Sequence, residues 1–246
     1  MLYNALHQEY LSIRDQCALT SAADSTFAPF LLNLLGSLRA NFPDHPKVYV
    51  FDLGMSPTQV KELAGIRFVF LMPPPISPEF WKLCWTWKPM IWTVPRERYV
   101  LHLDSSVVVL RSLHLWFLSI RKNGYFALSQ GQKLPDIAPS AYLREFLGDA
   151  PIAQAEVFAA GVFGFDARSV AGMAVRETAR ACEKGQALGW SAKEIHRATD
   201  ARDRIVRECK LFRHDQTLLN LALRKCLGTE PLVRSQRKYL GFGSPN

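Results

Sequence analysis

Tyr99-Val100-Leu101-His102-Leu103-Asp104-Ser105-Ser106-Val107-Val108-Val109-Leu110 is an apolar, β-branched run interrupted by one carboxylate and two hydroxyls. It reads as a buried strand that ends at Asp104. A carboxylate at the end of a buried strand has to be paired, hydrogen-bonded or turned toward a ligand, because an unpaired buried charge is too costly. In open α/β sheets the C-terminal ends of strands are also where ligands sit. The competing reading is that Asp104 only caps the turn that follows, a common use of Asp.

The sequence before this strand alternates strands with helices. Gln16 to Ala22 reads as a first strand, and Phe27, Phe30, Leu31, Leu34, Leu35 and Leu38 recur at helical spacing. Lys47 to Leu53 is a second strand. Ser56, Pro57 and Gln59 then supply an N-cap, a proline at the first helical position and a capping-box partner. Ile66 to Leu71 is a third strand, and the alternation predicts a mostly parallel sheet with crossover helices. A proline loop, Pro73-Pro74-Pro75, leads into a segment carrying Trp81, Trp85, Trp87 and Trp92. Downstream of Asp104, Tyr125–Ser129 and Val157–Phe165 read as strands. The sequence from Ala167 onward reads as mostly helical, with a capping box at Ser191 and Glu194 and a helix from Asp215 to Leu227 that stops at Gly228. The expected architecture is a single α/β domain over residues 1–246 with flanking helices and a helical C-terminal half.

The 246 residues are 48% hydrophobic and 21% charged, enough to bury a sizeable core in one domain of this class without staples. The formal charge of +8 points to an anionic partner: nucleotide phosphates, nucleic acid or an anionic membrane surface. Cys17, Cys84, Cys182, Cys209 and Cys226 are odd in number and scattered, with no CxxC pair, which fits reduced thiols in a cytoplasmic protein. Met1 to Gln16 carries Glu9 and Asp15 and does not read as a signal peptide. The longest apolar stretch, Phe27 to Leu38, is broken by Pro29, Asn33, Gly36 and Ser37 and is too short to span a membrane.

Five segments in order carry a resemblance. They are Thr20-Ser21-Ala22-Ala23-Asp24, Trp87-Lys88-Pro89-Met90-Ile91-Trp92, Leu103-Asp104-Ser105-Ser106, Phe158-Ala159-Ala160-Gly161-Val162-Phe163 and His214-Asp215-Gln216-Thr217-Leu218-Leu219-Asn220. Together they resemble glycosyltransferases of the GT-A fold, in particular the glycogenin and bacterial galactosyltransferase group, and also poorly characterised GT-A-like domains. The resemblance implies a GT-A-like domain that binds a nucleotide-sugar, in particular a UDP-sugar, and transfers the sugar with retention to a glycan, protein or small-molecule acceptor. It implies that Thr20, Ser21, Ala22, Asp24, Lys88, Asp104, Ser106, Gly161 and Lys238 bind the donor and that Asp215 and Gln216 line the reaction centre. In this pattern Lys88 places a cation near nucleotide phosphates or pairs with Asp104. The residues by themselves leave blander roles open: Lys88 as a solvated lysine, the tryptophans as core, Asp215 as a helix cap and His214 as a hydrogen-bonded surface histidine.

The sequence departs from the resembled pattern where a metal is held. Relatives carry Asp-x-Asp with a divalent cation such as Mn or Mg; here the second aspartate is Ser106, a poor ligand for a hard cation. The terminal His-x-x-Gly-x-x-Lys-Pro-Trp pattern aligns with Lys238–Asn246, which puts Lys238 in place of the metal histidine and Ser244 in place of the phosphate lysine. Ala159 replaces an asparagine. Asp104 alone is left as a metal ligand, so metal is expected to be dispensable, with Lys88, Arg237 and Lys238 as cationic substitutes. The other reading is a non-catalytic module that binds nucleotide-sugar or glycan. Nucleic-acid binding rests on charge alone and has no motif behind it. The basic surface is compatible with peripheral membrane contact.

Overall fold

A computed structural model describes residues 2–73, 85–148, 156–188 and 212–228. Six strands form one sheet in the order β3-β2-β1-β4-β6-β5. They are β1 (Cys17–Ala23), β2 (Lys47–Asp52), β3 (Val69–Met72), β4 (Tyr99–Leu103), β5 (Tyr125–Lys133) and β6 (Glu156–Asp166). The β1–β2, β2–β3 and β1–β4 pairings are parallel, and β6 lies antiparallel to both β4 and β5. The mixed α/β class and the mostly parallel sheet are as the alternation predicts. The antiparallel pairings enter with β6, which runs against β4.

Helices α1 (Leu2–Leu11), α2 (Ala28–Asn41), α3 (Pro57–Ala64), α4 (Trp87–Trp92), α5 (His114–Asn123), α6 (Leu134–Ile137), α7 (Ser140–Leu147), α8 (Val170–Glu183) and α9 (Asp215–Leu227) accompany the sheet. One core joins β1 and β4 through Leu19, Leu101 and Leu103 to Leu31, Leu34, Leu35 and Leu38 of α2 and to Phe117 and Ile120 of α5. A second core gathers Phe51, Val100, Phe163 and Phe165 of the strands with Trp92 of α4, Val175 of α8 and Leu219 and Leu223 of α9. The sheet is therefore covered on both faces, as buried parallel strands require. The Ser56–Gln59 capping box forms as read.

Two local readings are corrected. The third strand starts at Val69 rather than Ile66, because residues 66–68 continue as turns off the end of α3, with Ile66 N donating to Leu63 O and Val69 N to Ile66 O. Beyond Asp104, Val107 to Leu110 form a loop: Val108 and Leu110 are exposed, and Val109 is held by α2, whose Ser37 Oγ accepts from its amide and whose Asn41 donates to its carbonyl. The described tryptophans of the Trp81–Trp92 segment are not all core. Trp92 is fully buried, Trp87 is half-buried, and Trp85 is exposed. Trp81, Cys84, Cys209, the Ser191–Glu194 capping box and the tail with Lys238 lie outside the described residues. No described helix is long and apolar enough to cross a membrane.

Candidate active site

From β1 the chain proceeds outward to β2 and β3, then returns to place β4 on the other side of β1. The strand order thus reverses between β1 and β4, and the crevice beyond the carboxyl ends of such a strand pair is the general ligand position in open α/β sheets. Asp104 follows directly on β4 at this place. Its backbone amide donates to Gly161 O at 2.8 Å, so β6 extends alongside it.

Asp104 is held from two sides. Lys88 Nζ, on α4, lies 2.9 Å from Oδ1 and 3.2 Å from Oδ2, and His102 Nε2 lies 3.0 Å from Oδ1. Burial alone would raise the Asp104 carboxyl; the Lys88 ammonium and the His102 hydrogen bond override it and hold the group well below the usual carboxylate range. Lys88 is itself buried, which by itself would lower its pKa, but Asp215 and Asp104 outweigh this and keep it raised and charged. The Lys88–Asp104 pair read from the sequence is therefore formed, and Lys88 is not a solvated lysine.

Asp215 is the third member of the cluster. Its Oδ2 lies 3.8 Å from Lys88 Nζ, is buried and makes no hydrogen bond. Burial pushes its carboxyl up to about 6; Lys88 pulls it down, and the negative charge of Asp104 pushes it up again. Asp215 is the first residue of α9 rather than its cap, since His214 occupies the cap position and gives no side-chain cap bond. Its carboxyl also interacts with the first backbone amides of α9, those of Asp215 and Gln216, so a capping contribution stands beside its place in the cluster.

The rest of the His214–Asn220 segment explains how α9 is fixed. Asn220 accepts from Phe158 N at 2.8 Å and donates to Phe158 O at 3.0 Å, so its amide serves as a strand partner beside the irregularity between β5 and β6. Thr217 Oγ1 accepts from Arg213 N and donates to Ile137 O, both at 3.0 Å. Gln216 is buried, and its Nε2 donates to Gln130 Oε1 of β5 at 2.9 Å.

The structure places the remaining donor-site candidates unevenly. Thr20 is completely buried, and its Oγ1 meets His102 Nδ1 at 3.1 Å, so Thr20 reaches Asp104 through the histidine and not through solvent. Ser21 and Ala22 are buried within β1. Asp24 caps the entry to α2, accepting from the amides of Thr26 and Phe27 at 2.9 and 3.0 Å. Ser106 is exposed beside Asp104. Gly161 is required by the geometry, because a Cβ there would lie 2.6 Å from Asp104 Oδ2. Gly161→Ala should push the carboxylate off Lys88 and lower the stability of the fold by about 1–3 kcal/mol. A thermal melt of the variant checks this, and an unchanged melting temperature would mean that the carboxylate has room to move.

His102 and Gln130 were not among the sequence candidates. His102 sits between leucines in an apolar strand, where a histidine reads as core. The signal lies in the pairing register, which sets Thr20 directly opposite His102. Burial lowers the pKa of His102 against the pull of Asp104, and its Nε2 faces the Asp104 carboxylate while Nδ1 faces Thr20.

Among the described residues the donor set does not fit the divalent cation that the resemblance implies. Among the described residues no three His, Cys, Asp or Glu side chains converge as metal ligands. The carboxylate that would lead such a set is already occupied by an ammonium at 2.9 Å, and Ser106 in place of a second aspartate adds little for a hard cation.

Among solved structures, the chain resembles the galactosyltransferase LgtC determined with donor and acceptor sugar analogs, at 18% identity and a TM-score of 0.53 over 84% of this chain and 70% of that one. The bifunctional glycosyltransferase WbbM gives 16% identity and a TM-score of 0.50 over 84% of this chain and 37% of its own. The chain has a GT-A-like glycosyltransferase fold. The glycosyltransferase GlyE of Streptococcus pneumoniae TIGR4 matches at 17% identity and a TM-score of 0.50, over 91% of this chain and 46% of that one. This chain thus spans less than half the length of WbbM and GlyE. No protein-family model and no curated protein matches the sequence.

Proposed function

We propose that the chain is a glycosyltransferase that moves a sugar from a UDP-sugar to a glycan, protein or small-molecule acceptor, with retention and without a divalent metal. The observation that carries this is the Asp104–Lys88–Asp215 cluster, with Lys88 and Asp215 buried and Asp104 partly exposed, at the strand-order reversal of a GT-A-like fold. A largely buried charge triad is a poor device for stability alone, since an apolar replacement is often as stable or more so. Placed where ligands bind, it is better explained by charge that changes during a reaction.

In this reading Asp104, pinned by Lys88 and His102, orients the nucleotide end of the donor. Lys88 supplies fixed positive charge on that side, where the diphosphate leaving group gathers negative charge. Asp215 and Gln216 face the sugar. An ionised Asp215 offsets positive charge developing at the anomeric carbon, and the Gln216 amide, steadied by Gln130, holds a sugar hydroxyl. GT-A-like folds around LgtC, WbbM and GlyE support sugar transfer as the class of reaction.

The test is a hydrolysis and transfer screen over UDP-sugars, run with EDTA and with added Mn or Mg. Turnover is expected to persist in EDTA and to fall at least tenfold in Asp104→Ala. A strict dependence on added metal would overturn the metal-free mechanism. Full activity in Asp104→Ala would remove the cluster from the site. Binding of UDP with no turnover of any donor would favour the non-catalytic reading, which the full pairing of Lys88 by two carboxylates also permits.

A further inference from the structure

Trp85 and His214 are the two non-glycine residues with left-handed backbone among the described residues, with φ of 56° and 46°. That conformation is costly for residues bearing a side chain, and such strain concentrates at ligand sites. Each stands just before a helix that delivers a member of the charge cluster: Trp85 before α4 with Lys88, His214 before α9 with Asp215. Their rings meet at 5.6 Å and 41°. His214 is fixed from behind, its Nδ1 2.9 Å from Ala187 O and its ring packed edge-on by Phe212 at 5.0 Å. Trp85 therefore stands on an immobilised support, and its carbonyl accepts from Lys88 N at 3.0 Å. Yet the residue is 53% exposed. A large aromatic ring held this firmly and left open to solvent is an unused contact surface.

Polar groups follow His214 in the chain. Asp215, adjacent to His214 in the chain, has a buried Oδ2 with no hydrogen bond. One residue further, the Gln216–Gln130 amide pair uses one donor and one acceptor on each other, leaving Gln216 Oε1 and Gln130 Nε2 for a ligand. A pyranose ring has matching chemistry: an apolar face of C–H bonds and a rim of hydroxyls that both donate and accept.

We propose that the exposed face of Trp85 is the platform of a saccharide subsite, taking the hexose ring of the acceptor. The proposal rests on the glycosyltransferase reading. Trp85 is tied to the cluster twice, by its ring against His214, the residue before Asp215, and by its carbonyl, which accepts from Lys88 N. A donor whose nucleotide lies at Asp104 presents its sugar toward Asp215, and the acceptor ring then meets the indole.

The test uses the full chain and the methyl β-glycosides of glucose, galactose and mannose, observed by saturation-transfer NMR with and without saturating UDP. At least one glycoside is expected to receive saturation, strongest at the C–H groups of one ring face. Trp85→Ala should reduce this signal at least tenfold while UDP affinity stays within twofold, and Trp85→Phe should keep a measurable part of it. Absence of binding by every glycoside in both conditions overturns the proposal. So does equal binding by Trp85→Ala. Joint loss of glycoside and UDP binding in Trp85→Ala also overturns it, because the ring pair would then only hold α4 against α9. Glycoside binding that depends on Trp85, with no UDP-sugar turned over, would sustain the platform and refute the transferase reading. Turnover with glycoside binding indifferent to Trp85 would do the reverse.

Discussion

Lys88→Met is expected to lower stability by about 3–5 kcal/mol at pH 8, a fall in melting temperature of about 6–20 °C, and to reduce turnover of any UDP-sugar donor at least about 100-fold. Methionine fills much of the lysine's volume, so packing is nearly kept. What disappears is the single cation between two carboxylates, one of them buried. Removing one member of a buried ion pair leaves the other uncompensated, and this is far costlier than never having built the pair. The loss should be smaller at pH 5, because Asp215, with a pKa already pushed up to about 6, takes a proton and sheds its charge. Thermal melts at the two pH values, with a UDP-sugar assay at pH 8, check this. A variant as stable and as active as the parent would mean that Lys88 carries no charge duty in the site.

The parts of this site legible in the sequence are those fixed by local chain signals. The apolar run closing on Asp104, the capping box at Ser56 and the stop at Gly228 each depend on a few neighbouring residues, and each stands where it reads. The Lys88–Asp104 pair was legible only through the resemblance, since nothing local distinguishes a buried lysine from an exposed one. The contacts that hold the site are non-local and escaped. His102 matters through Thr20, 82 residues earlier, and Gln216 through Gln130, 86 residues earlier. Trp85 and His214 are singled out by backbone angles that the sequence does not announce: tryptophan is rare at positive φ, and histidine, though enriched there, adopts it at only a few of its positions. The strand does end at Asp104 although the next valines would suit a strand too, because α2 claims the backbone of Val109 instead.

Asp215→Asn should make the protein more stable and less active. The folded-state pKa of Asp215 is raised from 3.8 to about 6, chiefly by burial, so the fold binds this proton more tightly than the unfolded chain does. The stability this proton contributes is complete below the unfolded pKa near 3.8 and is lost as pH rises to about 6. Above that the ionised carboxylate costs the fold about 3 kcal/mol. Asparagine has the shape of the neutral acid and does not titrate. The variant should therefore melt about 6–12 °C higher at pH 8, with roughly half that gain at pH 5. Turnover at pH 8 should fall about 100-fold, with UDP affinity little changed, because the lost charge faces the sugar and not the nucleotide. The pairing of opposite effects is what separates a reacting group from a structural one: a carboxylate retained for the fold would be missed on replacement. The double variant Lys88→Met/Asp215→Asn should regain much of the stability that Lys88→Met loses, since two interacting buried charges then leave together. If Asp215→Asn instead melts lower than the parent at pH 8 and turns over donor at the same rate, Asp215 is a structural residue and the reaction centre lies elsewhere.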